Sequence, residues 1–291
     1  MTWAPGPVVT RRRLGGELKR LRVASGLLLE NVAAKLECSP SKISRLENGK
    51  GIPKYRDVRD MLDAYGIGDG ELREQLLEWS QTGQAPMWWR AYADVLSAGL
   101  DTYVELEWDA ARIQAYESHV VHGLLQTRDY ARAVLGSASS GRSASEVKRL
   151  VEVRMKRQEV LGAEHGLDFH CVLDESALYR VVGSAETLRQ QIEHLVDVAE
   201  AEHVEVRILP FAAGLVVGSL SSFAKLDFSS GIEHGLVHVE SADGASFLAD
   251  AENVRTHEMR LAALLDVALT GEESVPLMRR AAKRLTDTPE G

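Results

Sequence analysis

Residues Leu14–Lys50, LGGELKRLRVASGLLLENVAAKLECSPSKISRLENGK, constrain the fold of this 291-residue chain more than any other stretch. Apolar residues recur there at helical spacing in three short blocks. The first block covers Leu14–Ser25, with Leu14, Leu18, Leu21 and Val23 as its apolar positions. Ser25-Gly26 stops it, because glycine tolerates a left-handed C-cap. The second block covers Leu29–Leu36 and turns Val32, Ala33 and Leu36 inward. Glu37-Cys38-Ser39 is a tight turn into the third block. Ser39 stands there as N-cap, and Pro40 takes the first helical place, where its missing N–H is not needed. Ile43 and Leu46 face a core, and Asn48-Gly49 ends the helix.

The outer side of the third helix carries Ser39, Ser41, Lys42, Ser44 and Arg45, all short or cationic. A helix dressed in this way fits a major groove, where its N-terminal half reaches base edges. Arg45 can donate two hydrogen bonds to the acceptors of guanine, and Lys42 can reach a base or a phosphate. Ser41 and Ser44 suit close approach, while Ser39 is occupied as the cap. The exposed amides of the helix start favour a phosphate. Asn48 and Lys50 are expected on the DNA backbone. Residues 1–13 form an arm with Pro and Gly, expected to be flexible. Its Arg11, Arg12 and Arg13 follow phosphates or enter a minor groove. A helical hairpin used only for packing is the competing explanation. The cationic, short-chained face and the well-marked helix ends favour double-stranded DNA.

The charge distribution agrees. The whole chain carries −9, yet residues 1–55 hold 11 Lys and Arg against 4 Asp and Glu. The remainder holds 23 against 39. A basic head on an acidic body confines nucleic-acid contact to the head, because the body repels DNA. No apolar run approaches the roughly 20 residues of a membrane helix. No signal-peptide pattern opens the chain. The two cysteines, Cys38 and Cys171, lie far apart, which fits a reducing compartment. A cytoplasmic, nucleoid-associated protein is therefore expected.

Two more helices are predicted, Tyr55–Tyr65 and Glu71–Gln81, completing a mainly α, five-helix domain over residues 14–82. Thr82-Gly83-Gln84-Ala85-Pro86 is the domain boundary. The second domain, 87–291, begins with an amphipathic segment, Met87–Leu100, containing Trp88 and Trp89. Helices are expected at Thr127–Leu135, Ser145–Leu161, Ser184–Ala201, Glu252–Leu269 and Pro276–Leu285. Strands are expected at Asp168–Asp174, Val204–Leu209, Ser222–Asp227 and Leu236–Glu240. The body is thus a larger α/β (α+β) domain with a small sheet of unread strand order.

No catalytic or cofactor motif appears in the body, so it is not expected to be an enzyme, nor to hold a metal or cofactor. His170 and Cys171 are adjacent on a strand and point to opposite faces, so they cannot form a dyad. Cys171 belongs to the apolar face with Phe169 and Leu173. Asp174-Glu175 favours the start of the short helix that follows. His234 and His238 have ligand spacing, but Gly235 and the strand pattern oppose a helix. Arg154, Arg157, Arg180 and Arg207 either form an anion pocket or pair with nearby acids, pairing being the default. Trp88, Trp89 and Trp108 are candidates for an interface or a core. Gly123–Thr127 reads as a buried turn.

With these residues in place, Leu14–Lys50 resembles the lambda-repressor/Cro (XRE) family of helix-turn-helix regulators, with Ile43–Lys50, ISRLENGK, as its most specific string. Leu28 stands where that family caps the second helix with Ser or Thr, Leu29 where it has Gln, and Glu37 where it has Gly. The remainder resembles the C-terminal domain found behind such a head in many actinobacterial regulators. The strings that carry this are Leu106–Leu135, Val151–Leu161, Leu173–Gly183 and Val204–Gly218. His122 replaces a proline in Val121–Thr127, which is expected to loosen that turn. The resemblance implies an antitoxin-like transcriptional regulator with a small acidic partner protein encoded nearby. A homodimer on a pseudo-palindromic operator is expected, with the body supplying dimerisation and partner or ligand sensing. The alternative is a protein-interaction module for which DNA binding is secondary.

Overall fold

The computed structural model describes residues 7–49, 51–83, 88–97, 99–137, 141–162, 165–229, 234–241 and 244–287. Contacts divide it into two compact units, one of residues 1–88 with 228–233 and one of residues 89–227 with 234–291. Lys50, residues 84–86 of the expected boundary and residue 87 lie outside the described residues. Among the described residues there are eleven α-helices and one six-stranded sheet. None of the helices is long and apolar enough to cross a membrane.

The first unit contains helices α1 (Pro7–Ala24), α2 (Leu29–Lys35), α3 (Pro40–Glu47), α4 (Tyr55–Ala64) and α5 (Glu71–Thr82). Their apolar stripes meet in one core. Leu14, Leu18 and Leu21 of α1 pack with Val32 and Ala33, with Ile43 and Leu46, and with Val58, Met61, Leu62 and Leu76. Full burial of each Leu, Ile, Val or Met side chain among them is worth about 1.5–3 kcal/mol. Leu36 packs against this core only partly buried. Val23 is 62% exposed. Two positions past Leu21, it has rotated about 200° away from the stripe.

The arm must be corrected. Helix α1 begins at Pro7, so Arg11, Arg12 and Arg13 are helical and not part of a flexible segment. Proline is accepted in the first helical turn, and its fixed φ suits the place. Val9 and Leu14 are 1% exposed, and Thr10 and Arg11 are buried with them, so the apolar face simply continues toward the N-terminus. Residues 1–6 are outside the described part.

The second unit contains, in order, α6 (Leu100–Asp109), β1 (Arg112–Glu117), α7 (Arg128–Ser137), α8 (Ala144–Arg157), β2 (Asp168–Asp174), α9 (Ala185–Val198), β3 (Val204–Leu209), β4 (Phe223–Asp227), β5 (Leu236–Ser241), β6 (Gly244–Leu248), α10 (Ala251–Leu265) and α11 (Gly271–Asp287). The sheet order is β3-β2-β1-β4-β5-β6. Strands β1, β2 and β3 run parallel, and β4, β5 and β6 join through antiparallel pairs. The α+β expectation therefore holds, with two additional strands. Strand β1, RIQAYE, lacks a clean alternation because both faces are covered, and β6 is a short edge strand. The segment expected as amphipathic, Met87–Leu100, forms a 3₁₀ turn at Trp88–Tyr92, and the α-helix starts only at Leu100.

The register sorts the sheet into two faces. Tyr116, Val172, Phe223 and Val237 pack under Val254, Leu261 and Leu264 of α10. Ile113, Ala115 and Glu117 share the other face with Phe169, Cys171 and Leu173 of β2 and with Ala224 and His238 across β4 and β5. Cys171 is 1% exposed, and burial pushes its thiol well up. Trp89 is buried, 6.2 Å from Trp108. His122 does not loosen its turn. Its φ of −54° is close to that of the proline it replaces, and its Nδ1 accepts the Leu124 N–H at 3.2 Å.

Candidate nucleic-acid interface

Helix α3 starts as its sequence dictates. The Ser39 hydroxyl accepts the Lys42 N–H at 3.2 Å, and Pro40 occupies the first turn. Ile43 and Leu46 are buried, leaving the opposite side to solvent. Ser41 and Arg45 are exposed and four residues apart, so they stack on one outer face. Arg45 has no side-chain partner among the described residues, and its five donors are available to a ligand.

The remaining expected contacts are differently disposed. Lys42 reaches sideways to Asp57 of α4 at 2.8 Å, which neutralises it within the unit. Asn48 folds back on its own helix, its Nδ2 donating to the Ser44 carbonyl at 2.7 Å and to the Ser44 hydroxyl at 3.3 Å. Ser44 and Asn48 are thus tied together. Arg13 lies over the Trp79 ring, 4.5 Å from its centroid, and Arg11 is 5% exposed. Neither extends away as an arm. Arg12 is half-buried beside Gly49.

Three features hold α3 in place, and none was read from sequence. Arg22 donates from Nε and Nη2 to both carboxylate oxygens of Glu47, at 2.7 and 2.9 Å, inside the unit. A third donor, Nη1, reaches the Leu27 carbonyl at 2.8 Å. Hydrogen bonding to Glu47 raises the Arg22 guanidinium above its ordinary value. Second, α1 crosses the end of α3 at backbone distance. A Cβ at Gly15 would stand 2.5 Å from the Leu46 carbonyl oxygen. A Cβ at Gly49, where φ is +66°, would meet Arg12 Cα at 2.7 Å. Third, α4 supplies Asp57, and Lys54 before it is exposed with no side-chain partner among the described residues. The only sequence signals for these were two glycines and two charges at otherwise apolar positions.

The departures from the helix-turn-helix pattern have structural substitutes. Leu28 offers no capping oxygen, and Asn31 Oδ1 instead accepts the Leu28 N–H at 3.0 Å. Glu37 takes φ +50°, the one positive φ of a non-glycine residue among the described residues. That conformation costs an L-residue about 1–2 kcal/mol.

In the body, the four arginines do not converge. Arg207 pairs with Glu205 at 2.8 Å, and Arg180 is exposed. Arg157 donates from Nε and Nη2 to both oxygens of Glu107, at 2.6 and 2.7 Å. Arg154, one turn earlier on α8, donates to the amide oxygen of Gln126 at 2.8 Å and to no other side chain among the described residues.

Compared with known families, residues 13–76 match a helix-turn-helix domain and residues 100–280 match a domain of unknown function (DUF5753). No curated protein and no solved structure matches the chain.

Proposed function

The chain belongs to the family of the domain of unknown function DUF5753 and carries a helix-turn-helix domain ahead of it, and from this we infer that it is a sequence-specific DNA-binding transcriptional regulator. The observation that carries the reading is the outer face of α3, where Ser41 and Arg45, which has no side-chain partner among the described residues, stand over a buried, clamped inner face. Arg45 reads a guanine, Ser41 allows close approach, and Lys54 takes a phosphate. Lys42 contributes once a phosphate competes with Asp57. The protein acts as a homodimer, its two α3 helices about one helical turn apart on a pseudo-palindromic operator. It works in the cytoplasm at the nucleoid.

The body serves dimerisation and the sensing of a partner or ligand, without turnover. Burial of Cys171 with a raised thiol supports this last point. An antitoxin-like role with a small partner protein is supported by exposed apolar side chains. Phe211, Leu215, Val217 and Leu220 are 59–81% exposed on one segment, more than scattered surface residues require.

Selection of binding sites from randomised duplexes, followed by anisotropy titration, tests the reading. A two-fold-symmetric site is expected. Arg45→Ala then costs about 1–3 kcal/mol and relaxes preference at one base pair. Unchanged affinity and unchanged preference in Arg45→Ala would refute the placement of α3, and no selected site at low salt would refute the regulator.

A further inference from the structure

Strand β1 is where the strand order turns, with β2 and β3 following on one side and β4, β5 and β6 on the other. In sheets flanked by helices, ligands sit outside the carboxyl ends of strands at such reversals. The carboxyl end of β1 is also where the body concentrates interior polar groups. Tyr116 pairs with Phe223 and Ala224 with His238, so the next pairs along place Glu117, Ser222 and Glu240 in a row on one face. Above that row lie Arg154 and Arg157 of α8, Tyr103 of α6 and the turn that follows β1.

These groups are unequal. Arg157 is saturated by Glu107 and covers the Tyr103 ring at 5.2 Å. His122 and His238 are neutral, both held below their ordinary value by burial, His238 at about 4. Gln126 is fixed, since its Nε2 donates to the Val121 carbonyl at 2.7 Å. Its Oε1 is the only side-chain partner of Arg154 among the described residues. The guanidinium also lies flat against Gly123, where a Cβ would come within 3.1 Å of Nη1. Burial and the neighbouring Arg157 pull Arg154 down to about 10. Glu107, Glu240 and Glu117 act on Arg154 only from a distance, and none of them is hydrogen-bonded to it among the described residues, which leaves donors of a half-buried cation open to a ligand. Arg154 and Glu117 are half-buried and Glu240 is exposed, so solvent reaches the cluster.

We propose that this cluster binds a small organic anion, a carboxylate or phosphate monoester, through the donors of Arg154 that Gln126 leaves unused, with Glu117 and Ser222 contacting the remainder of the molecule. A planar guanidinium with several unused donors matches such oxyanions in pairs of parallel hydrogen bonds. Any role of this site in sensing rests on the regulator reading, but its binding does not.

The test uses the full chain without DNA, titrated with inorganic phosphate in one arm and succinate in the other, at ionic strength held constant with chloride. Saturable binding is expected in at least one arm, and which arm saturates identifies the oxyanion. In Arg154→Gln the affinity falls about tenfold or more, the worth of one charge-assisted hydrogen bond. Should that variant fail to fold, the Arg154 Nε–H resonance of the unmodified protein decides, because it shifts saturably if the site is real. Absence of saturation in both arms, an unmoved Arg154 resonance, or an Arg154→Gln variant that binds as well as the parent overturns the proposal. None of these outcomes affects operator selection, and a failed operator selection leaves the anion result standing.

Discussion

Each half of the molecule contains a buried arginine–carboxylate clamp and, as a contrast to it, an arginine with no carboxylate bonded to it among the described residues. In the head, Arg22 and Glu47 close on each other and Arg45 is solitary on the surface. In the body, Arg157 and Glu107 close, and half-buried Arg154 is bonded to the Gln126 amide but to no carboxylate among the described residues. Even the tyrosine recurs. Tyr65 donates to Glu47 at 3.4 Å, and Tyr103 lies under Arg157. The difference lies in the solvent. Water covers Arg45, so an uncompensated charge there costs little and stays ready for a polyanion. Arg154 has lost much of its water, so its charge must be matched by the fold or by a ligand. An exposed cation suits a large partner that arrives from outside, and a recessed one suits a small molecule.

The comparison can be broken at the clamp. Glu47→Gln leaves Arg22 buried without its charge partner and should destabilise the head by about 3–5 kcal/mol. Chemical denaturation followed at Trp79 would show this as an earlier transition of the head with the body's transition unchanged. A head that unfolds at the parent midpoint would mean the clamp does not position α3.

A smaller effect is expected from pH, and only in the body. Burial and Glu240 push the Glu117 carboxyl up to about 8, against the lowering influence of Ser222, Arg154 and Arg157. The folded state therefore holds a proton that the unfolded chain, at the ordinary 4.5, has already lost. Stability of the body should fall as pH rises from about 5 to 8 and level off above that. Tyr103, Tyr130 and Cys171 also face Glu117, but all three are pushed upward and stay neutral across this window. Thermal unfolding across the range should show the slope, and Glu117→Gln should flatten it. A slope that survives the substitution assigns the proton elsewhere.

The smallest change sharpens the head. Glu37→Gly removes a left-handed glutamate from the turn and should raise stability by about 1 kcal/mol. It leaves α3 unmoved, so base preference should be unchanged in the duplex assay. A shifted preference would mean that Glu37 itself faces the DNA.

Local signals were legible wherever a hydrogen bond or a packing stripe closes within a few residues. Ser39 and Pro40 specified the start of α3, and the strands Asp168–Asp174 and Val204–Leu209 were read to the residue. Glu37 was recognisable as an odd residue in a turn that favours glycine. Continuation of α1 through Arg11–Arg13 does not follow from the Pro and Gly content that marks residues 1–13 as an arm, yet Pro7 stands in the first turn, where proline is compatible with the helix. Strand β1 went unseen because a strand covered on both sides loses the period of two.

Chain order alone thus determined the class of the head, the face of α3 that meets solvent, and the α+β character of the body, because periodicity and capping are short-range. Tertiary structure decided which charges remain available. Lys42 finds Asp57 15 residues away, Arg22 finds Glu47 25 away, and Arg157 finds Glu107 50 away. Pairings across such separations depend on how the helices and strands pack, and that packing is what leaves donors of Arg45 and Arg154 open to a partner.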